Sequence, residues 1–243
     1  MNTLSDLILA LREGFGEEME LPLGFWYSDS AVVETEKGGG CFFKVLDGAR
    51  GGEPVSLCAE NISCGGGRLY TGYGEMPERV PEFVSGKERY KQSPEMVVEY
   101  VKSLEIKQPK PRYLNFARID TLENLGCGID EIEGLFFYAT PDVLCGLVAW
   151  ANFDINDEDA VSAPFGSGCS ATITMAVREN ERKGHRCFIS LFDPSVRPWV
   201  VENELGFVIP RCRLKTMMKT LRSSCLFGTH AWGKVRDRIS RQR

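Results

Sequence analysis

Three cysteines of this chain lie in glycine-rich segments where a thiol can do chemistry. Cys41 follows three consecutive glycines, Cys64 precedes three, and Cys169 ends the run Pro-Phe-Gly-Ser-Gly-Cys. The pattern predicts that a helix begins at Cys169 and runs to about Val177. A helix start presents unpaired N–H groups and a partial positive charge, which favour the thiolate that binds metals or attacks electrophiles. The sequence therefore predicts a cysteine-centred site, without naming a reaction.

Residues beside these cysteines suit an anionic ligand or cofactor. Gly65 and Gly66 would let the backbone approach a ligand closely, and Arg68 would hold a phosphate or carboxylate. Gly168 stands before Cys169 in a turn that suits an anion or a cluster, with a purely structural turn as the alternative. The glycine spacing here also matches a dinucleotide-binding loop. That match is weak, because a proline precedes the loop and no acidic residue falls on a strand end about twenty positions later.

The late segment of the chain is expected to reach the same site. The predicted strand Arg186–Phe192 should deliver its C-terminal turn beside the Cys169 loop, since ligands gather outside the carboxyl ends of strands in α/β sheets. Asp193 and Arg197 are therefore expected to border one pocket with Cys169. The alternative for Asp193 is a plain cap on the local backbone.

Composition limits the chemistry and the partners. The 243 residues include nine cysteines and two histidines, so reduced thiols are expected, and mechanisms that need imidazole are weakened. The formal net charge of −5 argues against general binding to nucleic acid. No apolar run is long enough for a membrane span and the start lacks a signal-peptide pattern, so a cytoplasmic protein without membrane contact is expected. A small anionic ligand, a redox partner and homo-oligomers all remain compatible with the sequence.

The elements that position these residues alternate along the chain, which predicts an α/β (mixed α+β) fold with one mixed sheet flanked by helices. One domain is predicted over residues 1–224, followed by a basic C-terminal tail over 225–243, expected to be solvated or to meet an acidic partner. Strands are predicted at Pro22–Tyr27, Val55–Leu57, Tyr113–Ile119, Leu135–Ala139, near Val161, at Arg186–Phe192 and at Phe207–Ile209. Helices are predicted at Ser5–Phe15 and from Ser93, Thr140, Cys169 and Pro210, whereas Cys41–Leu46 suits either a helix or a strand.

The cysteine-bearing segments resemble a bacterial and archaeal family, the "domain of unknown function 169" family. The similarity spans the chain from about Leu21 to about Leu221. It is carried by Cys41–Phe43, Cys64–Gly67, Tyr113–Ile119, Leu144–Asp154, Ala163–Cys169, Ile189–Arg197 and Val208–Pro210.

The resemblance implies a set of ligands. Many members hold four separated cysteines, and the first three correspond to Cys41, Cys64 and Cys169. At the place of the fourth, this chain has Asp193. Three thiolates completed by Asp193, or by Cys58, are acceptable ligands for an iron–sulfur cluster or a single metal ion.

Two principal hypotheses follow, and the sequence does not decide whether the protein is an enzyme. The first is a redox or metal-cofactor protein whose metal or cluster is held by the separated cysteines. The second is a metal-free small-molecule enzyme or binding protein, in which Cys169 is a thiolate while Arg68 and Arg197 contact an anion. A third hypothesis is a partner-binding subunit that docks through its basic tail.

Overall fold

A seven-stranded sheet organises the protein in the computed structural model, which describes residues 3–241. Its strands are β1 (Leu23–Ser28), β2 (Val55–Leu57), β3 (Tyr113–Arg118), β4 (Gly134–Ala139), β5 (Val161–Ser162), β6 (Cys187–Ser190) and β7 (Leu205–Pro210). They lie in the order β2-β3-β1-β4-β7-β6-β5. Neighbours are antiparallel except for the parallel pair β5 and β6. The predicted mixed α/β fold with a mixed sheet flanked by helices is confirmed.

Helices cover the sheet and connect its strands. They are α1 (Leu4–Phe15), α2 (Phe42–Val45), α3 (Asp47–Gly51), α4 (Gly65–Tyr70), α5 (Val80–Glu82), α6 (Pro94–Ser103), α7 (Pro141–Ala151), α8 (Met175–Arg182), α9 (Arg211–Thr220) and α10 (His230–Ile239). Two π-helical turns interrupt this pattern, Phe83–Lys87 directly after α5 and Ser170–Thr174 directly before α8. The helix start predicted at Ser93 is present, because the Ser93 hydroxyl accepts the backbone N–H of Met96.

Each face of the sheet carries its own hydrophobic core. Successive residues of β4 point to opposite faces, as they must in a strand. Leu135 and Phe137 enter the core beneath α1, α7 and α9. Phe136 and Tyr138 enter the core that also contains Cys169. The candidate site therefore belongs to the second face of the sheet.

The segment expected to be a solvated basic tail forms helix α10 and packs against the first core. Trp232 is buried, its indole N–H donates to the carbonyl of Gly14 at 2.6 Å, and its ring meets that of Phe15 edge-on. The physical reason is the spacing of Trp232, Val235 and Ile239, which places apolar side chains along one stripe of the helix. The last two residues, 242 and 243, lie outside the described part of the chain. Within residues 3–241, no helix is both long and apolar enough to cross a membrane.

Candidate functional site

Four distant segments of the chain meet around a pocket of about 610 Å³. Each contributes one residue singled out in the sequence: Cys41 from the turn before α2, Cys64 from the start of α4, Cys169 from the loop after β5, and Asp193 from the loop after β6. The loops that follow β5 and β6 come together here because these two strands are parallel neighbours.

The first two cysteines occupy similar local positions, each just before a short helix. Cys41 precedes α2, which is held in place by the buried rings of Phe42 and Phe43. Cys64 precedes α4, and its sulfur accepts the backbone N–H of Gly67 at 3.4 Å. The three glycines after Cys64 are helical, so their left-handed freedom is not used here.

Cys169 lies deeper, with 3% of its surface exposed. Burial raises the pKa of its thiol well above the ordinary value of 9.0, and the neighbouring Cys64 and Cys41 raise it further. Burial also raises the pKa of the Cys41 thiol, although the backbone N–H of Phe43 partly offsets this. The helix start predicted at Cys169 is present, but the thiolate expected from it is not favoured, because the cost of desolvating a charge exceeds the benefit of the helix start.

Asp193 fixes the two loops that follow β5 and β6. Its carboxylate is 4% exposed. One oxygen accepts the backbone N–H of Gly168 at 2.8 Å, and the other accepts the hydroxyl of Ser195. Asp193 thus borders the pocket as expected and also caps local backbone, so both of its oxygens already have partners within the protein.

The cysteines and Asp193 do not form a ready-made metal site. In the described residues 3–241, no group of three or more histidine, cysteine or acidic side chains is arranged to hold an ion. Cys58, the other candidate for a fourth ligand, does not line the pocket. The donor types suit a soft metal, but the described geometry does not fit one as it stands, and both oxygens of Asp193 already accept hydrogen bonds.

The two predicted arginine contacts lie outside the pocket. Arg68 points to solvent from α4. Arg197 donates instead to four backbone carbonyls of its own loop, which belong to residues 191, 201, 202 and 204. The loop wraps around the guanidinium and uses its donors. Neither Arg68 nor Arg197 thus presents its guanidinium to the pocket lining, and their predicted contact with an anion stays a prediction.

The three predicted glycines line the pocket, for different reasons. A Cβ added at Gly65 would meet no atom within 4 Å, and one at Gly66 would make ordinary contacts. At Gly168, a Cβ would come within 2.8 Å of the Phe43 ring. Gly168 is thus required for close packing of its loop, while Gly65 leaves room for a ligand.

Sequence reasoning missed the aromatic wall of the pocket. Aromatic side chains line the pocket together with the cationic side chain of Lys91. The aromatic residues include Phe83, Tyr90, Tyr100, Phe165 and Trp199. Tyr100 lies on helix α6, whose predicted start at Ser93 gave no indication of a pocket. The segment before α6 carries no regular apolar spacing, since it contains a π-helical turn and a bend, so the sequence offered no signal for Tyr90 or Lys91.

A comparison with models of protein families gave a match. Residues 21–220 match the model of DUF169, described as "Uncharacterised ArCR". The chain belongs to the DUF169 family. The match covers the sheet and the whole pocket, in agreement with the resemblance noted from the cysteine segments. Comparison with curated proteins and with solved structures gave no match. The description of the family names no reaction, so its membership establishes no activity.

Proposed function

We propose that this DUF169 protein binds a small organic molecule with a largely apolar body in the pocket above Cys41, Cys64 and Cys169. The observation that carries the proposal is the pocket itself, about 610 Å³ in volume and lined mainly by apolar and aromatic side chains. Ligand sites in proteins typically have volumes of about 300–1,000 Å³, apolar walls and a small number of placed polar groups.

The rim of the pocket supports this proposal. Three large apolar side chains that line it remain substantially exposed: Phe83 by 46%, Phe165 by 41% and Trp199 by 40%. Exposed apolar residues that occur singly are ordinary, but their convergence on one concavity favours a binding site. A ligand that covers them would remove their apolar surface from water, which is favourable.

The cysteines fit a role in binding better than a role as nucleophiles. A neutral, buried thiol behaves as a small polarizable apolar group. Cys169, with its raised pKa and low exposure, matches that description. The interior end of the ligand would therefore meet soft, uncharged sulfur.

The test uses N-phenyl-1-naphthylamine, a neutral apolar dye whose fluorescence rises in dry pockets. The wild-type protein is expected to bind it saturably. Gly65→Leu should fill the pocket without a clash at the backbone and weaken binding at least tenfold, because Gly65 lines the pocket and has open space beside it. Gly51→Leu is the matched control. A Cβ added at Gly51 would also meet no atom within 4 Å, but Gly51 does not line the pocket.

Circular dichroism would verify that both variants are folded. An absence of saturable binding by the wild type, or equal weakening by Gly65→Leu and Gly51→Leu, would contradict the proposal.

A second candidate is a metal ion or iron–sulfur cluster, with a redox role, held by Cys41, Cys64 and Cys169. It is favoured by one observation: all three cysteines line the same pocket. There, burial and then repulsion from Cys64 and Cys41 raise the pKa of Cys169. A bound cation would remove that repulsion when the thiols ionise. The side chains would have to rearrange to share an ion, because no group of three such ligands is arranged to hold one within residues 3–241.

Anaerobic purification followed by measurement of iron, zinc and sulfide tests this candidate. If this candidate is correct, the wild type should contain stoichiometric metal, and Cys64→Ser should lose it. Metal-free wild-type protein that binds the dye would exclude it and retain the first proposal.

A further inference from the structure

We infer that the ligand of this pocket is an organic anion, a molecule with an apolar or aromatic body and one carboxylate or similar group, and that Lys91 contacts the anionic end. This inference rests on the proposed function and names the class of ligand.

Lys91 is the cation available to a bound molecule. Among the described residues that line the pocket, it is the single lysine or arginine. The salt bridges within residues 3–241 do not include it. Among the described residues, no carboxylate therefore pairs with its ammonium in a salt bridge.

Two rings of the aromatic wall lie close to the ammonium of Lys91. The ammonium of Lys91 lies 5.2 Å from the centre of the Tyr100 ring and 5.9 Å from that of Phe165. Both distances lie within the range of cation–π attraction. An anion that bound there would meet the ammonium while its apolar part lay against the same rings.

The backbone before Lys91 is also constrained. Arg89 has a φ of 56°, a left-handed conformation that is uncommon for a residue with a side chain. The backbone N–H of Tyr90 donates to the carbonyl of Val84 at 3.0 Å, which closes the bend after the π-helical turn. These two features direct Tyr90 and Lys91 toward the pocket.

The pocket lining also carries the carboxylates of Asp193 and Glu88. Both carboxylate oxygens of Asp193 already accept hydrogen bonds, from Gly168 and Ser195. Glu88, the other acidic residue of the lining, is exposed at the rim. Lys91 is thus the positive charge that a ligand meets in this lining, and the anionic end of the ligand would lie against its ammonium.

The test compares two dyes that share one ring system. 8-Anilinonaphthalene-1-sulfonate carries a negative charge, and N-phenyl-1-naphthylamine is its neutral counterpart. Lys91→Met keeps an aliphatic side chain and removes the charge. It should weaken binding of the sulfonate at least tenfold and change binding of the neutral dye less than twofold, while Lys91→Arg should retain both.

Lys44→Met is the matched control, because Lys44 lies near the rim, over the Trp199 ring at 5.8 Å, but outside the lining. Equal loss of both dyes in Lys91→Met, no loss of either, or the same loss of sulfonate binding in Lys44→Met would overturn the inference while the proposed function stands. A wild type that binds neither dye would overturn the proposed function itself.

Discussion

The thiol of Cys169 illustrates how burial decides the chemistry of a side chain at this site. The residue stands at a helix start, where a thiolate would be stabilised. It is also 3% exposed and has Cys41, Cys64 and Asp193 as neighbours, all of which disfavour a negative charge. The desolvation cost and the repulsion act in the same direction, so the thiol stays protonated at neutral pH.

The rate of alkylation by iodoacetamide measures how accessible and how ionised the Cys169 thiol is. In the native protein at pH 7.5, we expect iodoacetamide to modify the exposed Cys145 at least ten times faster than Cys169, because alkylation requires an accessible thiolate. Peptide mass spectrometry after timed quenching gives both rates in one sample. In guanidinium chloride the two rates should become similar. Equal rates in the native protein would mean that Cys169 is open and ionised.

Asp193 shows which part of the site could be predicted from sequence. Its place beside the Cys169 loop follows from a strand end that delivers a turn to the carboxyl edge of the sheet. Its partners, the N–H of Gly168 and the hydroxyl of Ser195, depend on how two loops pack. The same limit applies to Arg197, whose donors are used by carbonyls that only the folded loop brings together.

At the scale of elements, helices α1, α7 and α10 pack closely because α7 carries a glycine at their contact. A Cβ at Gly146 would lie 2.6 Å from the Phe15 ring and would also strike the Trp232 ring. Both rings are buried. Gly146 thus lets Phe15 of α1 and Trp232 of α10 pack closely against α7.

Two helical glycines give a matched pair of substitutions. Gly146→Ala should lower the free energy of unfolding by about 1 kcal/mol or more, since overpacking typically costs ~1–3 kcal/mol and exceeds the gain in helix propensity. Gly233→Ala, in α10 with no atom within 4 Å of its Cβ, should instead stabilise by roughly 0.5–1 kcal/mol. Urea unfolding measures both. If both substitutions changed the free energy of unfolding with the same sign, the rings around Gly146 would be able to move aside for a methyl group at little cost.

Regular spacing explains which elements were predicted. The strands β1, β3, β4 and β7 lie within one or two residues of their predicted bounds, because their buried apolar residues form compact runs. Helix α10 was missed although its stripe was present, since the basic residues around it suggested a solvated tail. The order of the strands depends on long-range pairing and has no local signal.

At the scale of the whole molecule, both cores contain acidic groups that are buried in the neutral form. Burial raises the pKa of Cys127 from 9.0 to about 12 and raises that of Cys187 above its ordinary value. Burial likewise raises the pKa values of Tyr27 and Tyr138 above the ordinary 10.0. These groups lie on both faces of the sheet, so their effect on stability belongs to the fold rather than to the pocket.

The consequence is a loss of stability in alkali. Above about pH 9, the thiols of the unfolded chain lose their protons, while the folded protein retains them. The unfolded state then binds fewer protons, and stability falls as pH rises. Each such group contributes up to about 1.4 kcal/mol per pH unit between its unfolded and folded pKa.

Thermal melts with a non-thiol reductant at pH 8, 9.5 and 11 test this expectation. The melting temperature of the wild type should fall steadily above pH 9. Cys127→Ala removes one contributor and should make that decline shallower by up to roughly 3–6 °C per pH unit, given about 2–4 °C per kcal/mol for a chain of this size. Cys145→Ala, which removes an exposed thiol, is the control and should retain the wild-type decline. A melting temperature that stays constant to pH 11, or identical declines in both variants, would show that Cys127 ionises as easily in the folded protein as in the unfolded chain.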